Sequence, residues 1–107
     1  MNIEHWRNEI DEIDQELLRL LNSRARLAIK VGALKKQAQL PLCDPVRERS
    51  VLLRLSQLNP GPLDERGVRK IFRRIIRESR RLEVMIDNAE GLANASAELH
   101  QSVRGAL

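Results

Sequence analysis

The chain has 107 residues, 42% of them hydrophobic and 32% charged, with a formal net charge of +4. That length suits one domain around a modest core, and the basic balance favours an anionic partner, whether a small anion, a nucleic acid or a membrane surface. One cysteine, Cys43, excludes an intrachain disulfide, two distant histidines, His5 and His100, argue against a zinc site, and two aromatic residues, Trp6 and Phe72, are too few for a base-stacking platform.

In chain order, the opening MNIEHWRNEIDEID is acidic and amphipathic, unlike a secretory leader. No apolar run approaches the ~18 residues of a membrane span, and a cytoplasmic setting is expected. Ile3, Trp6, Ile10, Ile13, Leu17, Leu20, Leu21, Leu27, Val31, Leu34 and Ala38 keep helical spacing without a proline. They predict one long helix from the start of the chain to Leu40. Gly32 costs that helix about 1 kcal/mol without ending it, and Pro41 ends it. LPLCDP is the connection, in which Asp44 and Pro45 read as the N-cap and first position of a second helix reaching about Leu58. NPGP, residues 59–62, is a loop, and Asp64 caps a third helix whose stripe is Val68, Ile71, Phe72, Ile75, Ile76, Leu82 and Ile86. Residues 1–90 form the expected domain, while GLANASAELHQSVRGAL, residues 91–107, has only a weak pattern and reads as a helical or frayed tail. With no strand pattern, the fold class is all-α, three helices with a long first one.

A first helix of about 36 residues is a rod of roughly 54 Å, whereas a compact chain of this length has a radius of gyration near 13 Å. Two short helices cannot cover such a rod. Its apolar stripe therefore needs a second copy, and an intertwined homodimeric bundle is expected.

Charged residues standing inside the apolar stripes demand a reason, because burying an unpaired charge costs several kcal/mol. Arg24 is in register with Leu17 and Val31, since seven residues fall only about 20° short of two turns. Lys35 shares its face. Glu48 lies in line with Leu52 and Leu55 on the second helix, and Ser79 and Glu83 continue the row of Phe72 and Ile76 on the third. Each has a plain alternative. Arg24 can pair with Glu48 or Glu83, Lys35 can snorkel to water, and Ser79 can bond its own backbone one turn back. Together, however, three helices send polar groups into one core, with more cations than local carboxylates need. Such a core reads as a pocket for an anionic small molecule. Arg69, Lys70, Arg73, Arg74, Arg77, Arg80 and Arg81 read as the solvated opposite face of the third helix, without a nucleic-acid recognition motif.

WRNEIDEIDQELLRLLNSRARLAIKVGALK in the first helix, DPVRERSVL after the loop and LDERGVRKIFRRIIRESRRLE in the third resemble the all-helical chorismate mutases, the AroQ class. The likeness covers roughly residues 3–88. It implies three helices per chain, a dimer through the long first helices, and conversion of chorismate to prephenate with no cofactor and no metal. Nucleic-acid and membrane partners are not expected. Carried over by residue, the resemblance implies that Arg7, Arg24 and Arg47 bind the two substrate carboxylates, with Arg7 supplied by the other subunit. It further implies that Lys35 contacts the ether oxygen and a carboxylate, and that Glu48 accepts from the ring hydroxyl. Asp44, Ser79 and Glu83 fall on the remaining polar positions. Glu83 stands where several bacterial members carry glutamine, which makes its protonation state matter. An isochorismate pyruvate-lyase on the same fold and a basic helical nucleic-acid or partner-binding module are the alternatives.

Overall fold

Caps set the helix starts. Asn2 accepts the His5 N–H at 3.1 Å, Asp44 accepts that of Arg47 at 3.0 Å, and Asp64 accepts that of Gly67 at 2.7 Å. In the computed structural model, which describes residues 2–93, these caps open α1 (Ile3–Gln37), α2 (Pro45–Leu58) and α3 (Glu65–Ala93). No strand occurs among the described residues. Helix α3 passes position 90 without a break, and the remainder of the expected tail, residues 94–107, lies outside the described residues.

Helix α1 stops at Gln37, three residues before the expected Leu40. Leu40 precedes a proline and is disfavoured in helical conformation, so the chain turns early. Gln39 adopts the left-handed conformation, φ 58°, with its N–H on the Lys36 carbonyl and that of Leu40 on the Lys35 carbonyl. This closing pattern satisfies carbonyls that a simple stop at the proline would have left open.

The molecule measures 56 × 31 × 15 Å with a radius of gyration of 17.1 Å. A thickness of 15 Å is scarcely more than one helix with its side chains, roughly 10–12 Å. The three helices thus form a single layer. Helix α3 packs against both others, while no Cα of α1 comes within 8 Å of one in α2. Residue numbers rise together along the α1–α3 contact, from Arg24 beside Ser79 to Lys36 paired with Asp87, so the two helices run in the same direction. Only Val51, Leu52 and Val68 are buried hydrophobic residues among those described. Along α1, by contrast, the stripe from Ile3 to Leu21 is exposed, with Leu17 still 50% accessible. At 29 residues α3 is longer than the short helix anticipated, yet it leaves the N-terminal half of the rod uncovered.

Candidate functional site

Because α1 and α2 hold their backbones apart, with no Cα pair within 8 Å, a gap remains between them, floored by α3. It is a cavity of about 280 Å³. Arg24 and Lys35 line it from α1, Arg47 and Glu48 from the first turn of α2 with Asp44 at its cap, and Ser79, Arg80 and Glu83 from α3. Leu27, Ala28, Val31, Leu42, Val51 and Ile76 supply the apolar wall. Seven of the eight residues anticipated from the sequence therefore meet in one place: Arg24, Lys35, Asp44, Arg47, Glu48, Ser79 and Glu83. Asp44 is tied up as the cap of α2, which orients the turn carrying Arg47 and Glu48. The N-terminus of α2 adds its own partial positive charge to the cavity.

Arg7 is not among them. Its Nη1 lies 3.0 Å from Glu4 Oε1 in an exposed pair near the start of α1. Seventeen residues separate it from Arg24, about 25 Å along the helix, so one chain does not bring both to the cavity.

The hydrogen bonds decide between the alternatives left open by the sequence. Arg24 Nη1 donates to Ser79 Oγ at 3.1 Å, and Ser79 Oγ in turn donates to the Ile75 carbonyl at 3.1 Å. The serine thus does bond its own backbone one turn back, and it also receives the arginine. Lys35 Nζ donates to the Leu42 carbonyl at 3.2 Å, fastening the connection to α1. Among the described residues, Arg24, Lys35 and Arg47 have no carboxylate within 4.0 Å. Arg24 therefore pairs with neither Glu48 nor Glu83.

The local electrostatics are unbalanced. Burial and the like charge of Arg47 push the Arg24 guanidinium below its ordinary value, against the pull of Glu83. Burial pushes the Glu83 carboxyl above the ordinary carboxylate range, opposed by the cations of Lys35, Arg80 and Arg24. Asp44, Glu48 and Glu83 also line the space, yet among the described residues none of them lies within 4.0 Å of the Arg24 and Arg47 guanidinium groups or the Lys35 ammonium, and a bound anion would relieve the repulsion among those cations.

Arg80 corrects the sequence reading. Instead of belonging to the solvated face, its Nη2 lies 3.2 Å from Glu48 Oε2, with side-chain exposures of 29% and 19%. Its signal was available, since Arg80 stands four residues after Ile76 and three before Glu83, the spacing of one helix face. Arg74 and Arg81, both paired with Glu78, do face solvent, whereas Arg69, paired with Glu65, is half-buried with its Nε enclosed. No group of three metal-ligating side chains gathers among the described residues, and none of their helices is long and apolar enough to cross a membrane.

Residues 6–84 match the family model of chorismate mutase type II. A bifunctional chorismate mutase/prephenate dehydratase of Aquifex aeolicus is 40% identical over 88 residues, covering 78% of this chain and 24% of the relative. The chain thus spans about a quarter of the length of that bifunctional relative. A chorismate mutase of Methanocaldococcus jannaschii is 36% identical over 78 residues, 72% of this chain and 79% of the relative. A solved chorismate mutase from Thermus thermophilus superposes with a TM-score of 0.75 at 41% identity, covering 76% of this chain and 92% of that one.

Proposed function

The chain belongs to the chorismate mutase type II family, and from that premise we propose that its cavity rearranges chorismate to prephenate, a step of cytoplasmic aromatic amino acid synthesis. The observation that carries the reading is the set of three cations, Arg24, Lys35 and Arg47, around a cavity of about 280 Å³ without carboxylate partners of their own. A small diacid supplies what they lack.

The reaction is unimolecular: the ether C–O bond breaks as a C–C bond forms, and no proton or electron pair leaves the molecule. Catalysis then reduces to two tasks. The first is to hold the flexible enolpyruvyl arm over the ring. Guanidinium forks on the two carboxylates fix both ends of the substrate, and Glu48, steadied by Arg80, accepts from the ring hydroxyl. The second is to favour the negative charge that grows on the ether oxygen. Lys35 and a protonated Glu83 are the donors, and the upward displacement of the Glu83 carboxyl by burial supports that role. A bound dianion offsets the neighbouring cations and raises the proton affinity of Glu83 further. A millionfold acceleration requires about 8 kcal/mol, which positioning and electrostatic stabilisation together can supply.

The proposed active form is an intertwined homodimer. Covering the exposed halves of Trp6, Ile10, Ile13, Leu17, Leu20 and Leu21 stabilises association by about 1 kcal/mol for each side chain. An antiparallel partner rod brings its own N-terminal segment over the cavity, and with it the partner's Arg7. The test is to offer chorismate and isochorismate to the protein and identify products by NMR. Prephenate from chorismate is expected. Salicylate with pyruvate from isochorismate, and no prephenate, would select the lyase chemistry instead.

A further inference from the structure

Gly32 is the residue that α1 buries among the described residues, and it sits opposite Glu83. A Cβ built at Gly32 would lie 2.9 Å from Glu83 Cγ, 3.1 Å from Cδ and 3.1 Å from Oε2. Its three nearest neighbours are thus all atoms of one side chain, the one that lines the site, and none is backbone of α3. Nonbonded carbon atoms settle at about 3.5–4.0 Å, so a methyl group here would displace the glutamate by roughly half an ångström to one ångström. Its side chain has space to shift, because Glu83 borders a second cavity of about 540 Å³ as well as the site.

From these contacts we infer that Gly32 is a positioning residue for the rearrangement: the missing side chain is the seat on which Glu83 rests to face the reacting ether oxygen. This rests on the chorismate mutase reading above and adds to it a residue that touches no substrate. A glycine kept in a helix interior weakens the helix relative to alanine, and the seat accounts for its presence. What yields to an added methyl is a flexible side chain, so the fold tolerates the change while the carboxyl loses its aim.

The test is a double-mutant cycle on the full chain with Gly32→Ala, Glu83→Ala and both, measuring kcat, KM and thermal melting followed by circular dichroism. Gly32→Ala should keep the helical signal and melt at or above the parent temperature. Its kcat should fall on the order of 10- to 100-fold, the scale of a misplacement near 1 Å, with KM moved by less than about threefold, because the ether oxygen acquires its charge only in the transition state. In the Glu83→Ala background, where no Cγ remains to be pushed, the same substitution should change kcat by less than about twofold. Turnover of Gly32→Ala within about twofold of the parent overturns the inference. So does an equal loss with and without Glu83, or a loss of helical signal, either of which makes Gly32 a packing residue. A parent protein that leaves chorismate untouched removes the functional reading and this inference together; a parent that converts it, with an additive cycle, removes only the role of Gly32.

Discussion

Replacing Arg24 by alanine separates a residue held for a ligand from one held for the fold. Among the described residues its side chain makes one hydrogen bond, to Ser79 Oγ at 3.1 Å. Ser79 keeps its own bond to the Ile75 carbonyl when the arginine is gone, so no donor is orphaned. No carboxylate loses a partner either, since none lies within 4.0 Å of Arg24 among the described residues. Against the lost bond, about 1.5–3 kcal/mol for a charged donor before solvent screening, stands relief from burial and from the like charge of Arg47. Screening at the part-buried Arg24 brings that bond down to about 1 kcal/mol and the relief works against it, so the stability change should be about 1 kcal/mol or less, a shift of roughly 4–8 °C at most for a domain of this size. Substrate binding fares differently. Truncating one member of a desolvated charge pair costs about 2–5 kcal/mol, or roughly 30- to several-thousand-fold in kcat/KM. Continuous ultraviolet assay of chorismate loss, beside thermal melting, measures both quantities. Collapse of the fold in Arg24→Ala, or turnover within about threefold of the parent, would refute the assignment of Arg24 to a substrate carboxylate.

Glu83 should set the pH dependence. Burial raises its folded-state proton affinity, and the protonated form is the donor, so kcat should fall as pH rises through that raised value. The kcat profile should break at higher pH than that of kcat/KM because bound substrate adds negative charge. Glu83→Gln donates at every pH and should flatten both profiles; an unchanged profile removes Glu83 from the ether oxygen. Stability follows the same sign: the contribution is complete below the ordinary carboxylate pKa and is lost as pH rises through the folded-state value, a trend in melting temperature that Glu83→Gln should erase. Arg80→Leu releases Glu48 from a half-buried pair worth about 1 kcal/mol, so KM for chorismate should rise about fivefold with a smaller change in kcat. No change in either constant would make that pair a purely structural contact.

Most of the site was legible because it breaks a rule. Arg24, Lys35, Glu48, Ser79 and Glu83 interrupt apolar stripes, and such interruptions show in one sequence without any structure. Asp44 and Pro45 were legible for a local reason, as the opening of α2. Arg47 gives no such signal; it precedes Glu48 on an exposed turn, and only the family resemblance pointed to it. Arg80 was hidden by its neighbours, for a run of arginines resembles a solvated face even when one member turns inward. The early end of α1 depends on a left-handed Gln39 that composition does not dictate. Gly32 reads in sequence merely as a cost to the helix. Its meaning comes from Glu83, more than fifty residues away, and only the packing of α1 on α3 reveals it.

A site shared between two chains can be tested by mixing two dead ones. Arg7→Ala and Arg24→Ala should each lose nearly all turnover as separate dimers. Unfolded together and refolded in equal amounts, half of the dimers will carry one chain of each kind. In those, one of the two sites regains both arginines, the resident Arg24 and the partner subunit's Arg7. Recovery of about a quarter of the parent chorismate mutase activity is therefore expected for a twofold dimer with random pairing. A mixture as inactive as its components, while a different affinity tag on each chain shows that mixed dimers formed, would contradict a diacid clamp shared between the two chains.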